Sequence, residues 1–551
     1  MKLDLLKRLV AVDSTTNTAK EADMAKELCA VIGEDPWFKE HPDMFGMVDV
    51  PGDALGRKNV WALRLADDPA VATASDVPTV VLAGHMDTVT TANFEGMEAY
   101  SRDPEALEEA FRKQEAGEAP VALPMKAWTK DDLASGEWIF GRGTADMKGG
   151  MSVYLDQLFQ GAKDKNLLFV AACDEETYSV GMRAAANLMV ELKERFDLDY
   201  KLLFMGESHL RDERGSVYFD GTIGKMTVNI VVRGIPSHVR FYYGANNAIL
   251  LASQLCAAID GNAALTERYK TEVTPPPSVS YFRDTKPRYD VTLAESVDMS
   301  LVQFLFRKSP AKAMGDLVSI AKQVAADNQK RIREQYELWK GDLAVNCTPL
   351  SGETEVLTFG ELKNRVKELM GPDFDAWYHA EVEAVVIERN AGTCSMNDAT
   401  NRLVHALLNK YKTDWPVVVI ALAPPMYPGF TNADFLPEDH MILGLPDLIC
   451  EFCREELGYE AYFDHYFGGI ADMSYAACIY GAEESAVVGE NMPLWGSCYN
   501  IDFDAIRKLQ IPVFNIGPFG RDIHTGQERA NKKSLMDETP RLIQYIIDQI
   551  Q

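Results

Sequence analysis

Five short runs of β-branched and bulky apolar residues punctuate this chain: Thr79–Ala83, Leu167–Cys173, Lys201–Met205, Val417–Leu422 and Val513–Ile516. Each is bounded by glycine, proline or charge, as are strands buried on both faces of a parallel sheet. Segments with helical periodicity lie between them, among them Gly150–Ala162, Met182–Glu194 and Asn401–Lys410. The alternation predicts an α/β fold with a mainly parallel sheet. In such sheets ligands bind at the carboxyl ends of the strands. Histidines and acids gather there: His85 after the first run, Glu175 and Glu176 after the second, Glu207 after the third, and His524 in the loop beyond the last.

Those residue types point to metal chemistry. Two histidines and several carboxylates suit a pair of zinc-like ions with a carboxylate base, and so metal-assisted hydrolysis. Asp87, two residues after His85, can turn back to fix the imidazole's tautomer. Asp146 stands in a loop bracketed by Gly141, Gly143, Gly149 and Gly150, which permit sharp turns and close backbone approach. From there its carboxylate can bridge two cations; the competing reading is an N-cap for the following helix. Glu175 and Glu176 repel one another unless cations intervene, leaving one to ligate and the other to accept a proton.

The stretch 221–390 reads differently. Lys225–Arg233 alternates like a half-exposed strand, Asn247–Ile259 is helical, Val279–Phe282 and Met299–Phe306 are strand-like, and Lys312–Leu338 is a long polar helix. This order predicts a separate α+β domain, with Ala380–Arg389 as its last strand, inserted between catalytic portions 1–220 and 391–551. Trp339–Tyr378 has no clear period. Thr91–Leu133 is a long connection within the catalytic part, with a surface-exposed helix over Pro104–Ala116; it either shapes the site or only decorates the surface.

At 551 residues the chain needs more than one core. The net charge of −28 argues against nucleic acid, and less strongly against anionic membranes. Met1–Val12 reads as an amphipathic helix instead of a signal peptide, and no apolar run reaches membrane-span length. The nine scattered cysteines fit a reducing compartment, with the cytoplasm expected. Cys450 and Cys453 read as helix neighbours.

Taken together, these motifs resemble the cocatalytic zinc amidohydrolases that include aminoacylase, glutamate carboxypeptidase and succinyl-diaminopimelate desuccinylase. The resemblance starts at Leu5–Val10 and Ser14-Thr15-Thr16 and runs to the last helix. The length, the insert after His85 and Pro424-Pro425-Met426-Tyr427-Pro428 look most like the RocB-type, arginine-utilisation branch. The resemblance implies that His85 and Glu207 hold one metal, Glu176 and His524 the other, and that Asp146 bridges them. It makes Asp87 the residue orienting His85, and Glu175 the general base. It implies that the inserted domain is a lid that mediates homodimerisation. Within Arg233-Gly234-Ile235-Pro236-Ser237-His238, His238 would stabilise the oxyanion, acting in cis or from a partner subunit. Arg307 and Asn247 would contact substrate, and Gly468–Asp472 would shape its pocket. Tyr178 and Ser208-His209 depart from the family pattern and bear on specificity; His209 reads as a satisfied loop histidine.

The function implied is hydrolysis of an amide bond in N-acyl amino acids or short peptides, in amino-acid (arginine) degradation, with two divalent ions, zinc first and cobalt or manganese as alternatives. A deacylase or carbamoyl-type hydrolase on an arginine-pathway intermediate shares the same metal site. A catalytically silent binding protein on this fold is the remaining alternative, and it would lack bound metal.

Overall fold

The computed structural model describes residues 2–72, 74, 77–286, 288, 290–343 and 347–550. Residues 344–346, within the aperiodic stretch 339–378, lie outside them. Two compact units emerge: Met1–Ile223 with Gly429–Ile479 and Asp502–Gln551, and Gly224–Pro428 with Tyr480–Ile501.

The first unit is built on a nine-stranded mixed sheet. Its centre is parallel: Val77–His85 pairs on one side with Asn166–Ala172 and on the other with Leu198–Met205, which pairs in turn with Val513–Asn515. Antiparallel strands Phe45–Asp49 and Lys58–Arg64 extend one side, and Gly215–Phe219 extends the other. The register explains how distant motifs meet. Ala83 lies opposite Met205, so His85 and Glu207, each two residues further on, leave the sheet at one level. His85 lies opposite Ala172, which puts Glu175 just beyond the same edge.

Glycines set the next layer. Helix Lys148–Gln160 begins directly against the backbone before Glu207: a Cβ on Gly150 would stand 2.0 Å from the Gly206 carbonyl oxygen, and one on Gly149 would stand 2.3 Å from that of Thr144. A small antiparallel sheet, Gly520–Arg521, Arg529–Asn531 and Trp138–Phe140, completes the convergence. One of its strands leads into the Asp146 loop, and its hairpin carries His524.

The second unit is α+β, as its strand order predicts. Its sheet runs Ser278–Asp284, Ser296–Leu305, Gly224–Arg233, Val417–Tyr427, Glu355–Thr358. Three readings change here. Val417–Leu422 does not belong to the catalytic sheet; Val417–Tyr427 pairs antiparallel with Gly224–Arg233, so this unit continues to Pro428 instead of ending at 390, and also takes in Tyr480–Ile501. A continuous apolar run has the same composition in either sheet, and only its long-range partner distinguishes them. Ala380–Arg389 is helical, within Phe374–Asn390; Phe374 packs on Trp377 and Tyr378, three and four residues on, as one helix face requires. Gly224–Arg233 is a buried central strand; its polar Asn229 donates to the Asn397 carbonyl and to Asn401 Oδ1, at 3.2 and 2.9 Å, so its alternation did not mark exposure.

The 91–133 insert has a core of its own. Helix Pro104–Glu115 buries Leu107 and Phe111, which cluster with Phe94, Leu133, Trp138 and Phe519. Among the described residues, no helix is long and apolar enough to cross a membrane.

Candidate metal centre

All seven residues expected to hold metal, orient a ligand or act as base in the first unit converge. Asp146 stands between the histidines: its Oδ1 lies 2.9 Å from His85 Nε2 and its Oδ2 lies 2.9 Å from His524 Nε2. His85 Nε2 is also 3.3 Å from Glu207 Oε1, and His524 Nε2 is 3.0 Å from Glu176 Oε2. Glu175 Oε2 is 4.0 Å from His85 Nε2. The N-cap alternative for Asp146 fails, because the helix is capped at Met147, without a side-chain cap bond.

The local supports are specific. Asp87 contacts His85 Nδ1 through its backbone carbonyl at 3.1 Å, while its carboxylate stands 3.5 Å away. That carboxylate instead accepts from the backbone N–H groups of Glu175 and Glu176, at 3.1 and 3.2 Å. Asp87 thus ties the proposed base to the histidine strand. The turn before Glu175 passes through a left-handed Asp174. Glu21 accepts from the Asp174 N–H at 2.8 Å, and Arg57 pairs with the Asp174 carboxylate and, at 2.7 Å, with Asp53.

The donor set fits divalent cations. Two imidazoles and three carboxylates present nitrogen and oxygen at one place, and buried acids are crowded without a compensating charge. Burial pushes the Glu175 carboxyl well above its usual range, and Glu207, Asp472 and Glu176 add to this while His85 opposes it. Burial also raises Glu176, to about 7, with Asp146 reinforcing it and His524 working against it. His524 is raised to about 10 by hydrogen bonds to Asp146 and then Glu176. Burial acts against the charge on His85, but Glu207, Asp146 and Asp87 outweigh it. A cation placed among these groups would draw the carboxyls down and displace protons from the imidazoles.

Two contributors, Arg142 and Glu528, were not singled out in the sequence, and a third, Asp472, entered only as the end of a pocket-shaping segment. Glu528, fully buried, accepts from the backbone N–H groups of Gly143, Ala145 and Asp146 at 2.8, 3.2 and 3.2 Å, and pairs with buried Arg142. It holds the loop that bears Asp146. Nothing in the spacing of Arg142 and Glu528, almost four hundred residues apart, signals the pair. Asp472, buried beside the site, is pushed up to about 7 by burial, with Ser179 and His85 opposing. The glycine-rich segment Gly468–Asp472 that it closes is the signal that places it near the site. Glu528→Ala would leave the buried Arg142 charge without the Glu528 carboxylate, with the neutral groups of Thr90 and Asn93 still bonded to it. The expected loss is about 3–5 kcal/mol of stability, read as a lowered urea midpoint; an unchanged midpoint would show the pair does not hold the loop.

His209 is a packed, neutral histidine: Nδ1 donates to the Gly517 carbonyl at 2.8 Å, its ring stacks on Phe519, and burial lowers it to about 3. The three substrate-facing candidates lie in the second unit. His238 is exposed and its Nδ1 accepts from Arg240 N–H at 3.1 Å. Asn247 caps helix Ala248–Ile259 by accepting from Ile249 N–H at 3.1 Å. Arg307 is exposed, with its guanidinium 5.4 Å from the centre of the Tyr269 ring.

The model of peptidase family M20/M25/M40 matches residues 120–547. Uncharacterized protein YqjN of Bacillus subtilis (strain 168) is 27% identical, covering 99% of this chain and 95% of its own. Protein RocB of the same organism is 25% identical, covering 97% and 92%. Among solved structures, aminopeptidase PepT from Bacillus cereus aligns over 100% of this chain and 97% of its own at 16% identity, with a TM-score of 0.48.

Proposed function

The chain belongs to peptidase family M20/M25/M40, and from that premise we propose that it is a dinuclear, metal-dependent hydrolase of the amide bond in N-acyl amino acids or short peptides. The observation that carries this reading is the division of one carboxylate between two histidines, with a separate, proton-hungry Glu175 alongside. His85 and Glu207 would hold one ion and Glu176 and His524 the other, with Asp146 shared. Two divalent ions, when bound, supply Lewis acidity toward the scissile carbonyl and lower the pKa of the attacking water. The donor set suits zinc, with cobalt or manganese as alternatives.

Glu175 takes the proton released as water adds to the carbonyl carbon. It returns that proton to the amide nitrogen as the C–N bond breaks. The Asp87 carboxylate keeps the turn that bears Glu175 in register with His85. To the second unit we assign recognition: His238 as oxyanion donor, Arg307 as a fork for a substrate carboxylate, and Asn247 as a further contact. The proposed homodimer is supported by the edge position of Ser278–Asp284 in that unit's sheet, and the proposed compartment is the cytoplasm.

The test is a panel of N-acyl amino acids and dipeptides offered to the metal-stripped protein with zinc, cobalt or manganese restored. The expected result is turnover of one substrate class that requires the added ion and stops with chelator. Amide cleavage that persists undiminished in chelator, or no turnover of either class with any ion, would contradict the assignment.

A further inference from the structure

The loop bearing His524 is held in a conformation its own residues do not favour. Asp522 and His524 are both left-handed, with φ of 52° and 63°, where a residue with a Cβ is disfavoured. Such a backbone persists only where its surroundings over-determine it. Here the surroundings are supplied largely by the 91–133 insert. The Asp522 carboxylate accepts from Trp128 Nε1 at 3.1 Å and pairs with Lys126 on the insert, and with Arg529 at 2.6 Å on its own hairpin. Gln527, three residues after His524, accepts from Lys126 N–H at 3.0 Å and donates to the Pro124 carbonyl at 3.1 Å. Asp132 pairs with Arg521 at 2.8 Å and Arg529 at 2.6 Å, one at each end of the loop.

One contact reaches the histidine itself. Asn93 Nδ2 donates to the His524 backbone carbonyl, while its Oδ1 accepts from Arg142 Nη2 at 2.8 Å. Arg142 pairs with Glu528, and Glu528 receives the Asp146 N–H. A continuous set of hydrogen bonds therefore joins the insert to His524 and to Asp146. The insert is anchored in turn by its apolar cluster on Trp138, Phe140 and Phe519, which belong to or flank the small sheet that carries the hairpin.

We propose that the 91–133 insert is a clamp that fixes His524 and thereby sets the affinity of the cation site formed with Glu176, with Asn93 and Trp128 as positioning residues. The proposal rests on the dinuclear reading above. Residues that orient a metal ligand from behind typically change metal affinity by about ten- to a hundredfold when removed. Among the described residues, His85 and Glu207 stand outside this set of hydrogen bonds, strand register alone accounts for their meeting, and Asp146 keeps its own bond to Glu528 when Asn93 is cut back, so the first cation site should not respond.

Metal-stripped full-length protein, titrated with cobalt(II) and followed by the ion's visible absorption and by calorimetry, tests this. Asn93→Ala removes the bond to His524; Trp128→Phe, at a half-exposed position, removes the indole N–H that reaches Asp522 and keeps an aromatic ring beside Lys126. In Asn93→Ala the expected result is an unchanged first binding event, a second weakened about ten- to a hundredfold, and an altered spectrum for the second ion. In Trp128→Phe the same event is expected to weaken by a smaller factor. Wild-type affinities at both steps in both variants would overturn the clamp, as would equal weakening of both steps accompanied by a lower melting temperature, which would mark general destabilisation. If the wild-type protein itself takes up fewer than two ions, the dinuclear reading fails first, and the clamp with it.

Discussion

Glu175→Gln should reduce kcat by about 10²–10⁴-fold, the usual contribution of a positioned general base, while both metal ions stay bound. The substitution keeps the shape of the side chain and removes its ability to take a proton. Its backbone anchor survives, because the Asp87 carboxylate accepts from the Glu175 N–H whatever the side chain. None of the proposed ligand pairs involves Glu175; its nearest approach to His85 is 4.0 Å. The high proton affinity of this carboxyl comes from burial first and from Glu207, Asp472 and Glu176 next. KM is expected to change little, since the amide sits where the acid sat. The check is a steady-state assay beside metal analysis of the same preparation. Full activity in the variant would exclude Glu175 as base, and loss of metal would reassign it as a ligand.

Asp146→Ala should have the broader effect: loss of both ions and of all metal-dependent turnover. Among the described residues, Asp146 is the one that pairs with both histidines, one oxygen to each. Without it, His85 keeps Glu207 and His524 keeps Glu176, two weak pairs in place of one shared centre. Metal bound at a hundred times its dissociation constant stabilises a folded protein by about 2.7 kcal/mol per site. The variant is therefore expected to show no rise in melting temperature on adding zinc, where the wild type shows a large one. A variant that still gains stability from zinc would show that the two sites do not depend on a bridge.

Much of this centre was legible in the sequence because it rests on short-range signals. Buried runs such as Thr79–Ala83 are bounded by proline and glycine and lead straight into the functional residue, so a strand and its exit can be read together. The partner of a run is not local information. Val417–Tyr427 has the composition of a catalytic strand and pairs with Gly224–Arg233 in the other unit, which moved the boundary expected at 390. Ala380–Arg389 reads as a strand in isolation, yet it lies within helix Phe374–Asn390, whose aromatic residues recur at helical spacing. The supports of the site were the least legible. Arg142 and Glu528 meet only because Trp138–Phe140 pairs with Arg529–Asn531, and the insert gives no hint in its composition that Asn93 reaches His524.

The most direct test of the account is the number of ions the protein binds. Metal-stripped wild-type protein and Asp146→Ala would be titrated with zinc in a calorimeter under identical conditions. The account requires two ions per wild-type chain, with protons released as His85 and His524 become ligands, and none at comparable affinity in the variant. A wild-type chain that binds one ion or none, or a variant that still binds two, would contradict it.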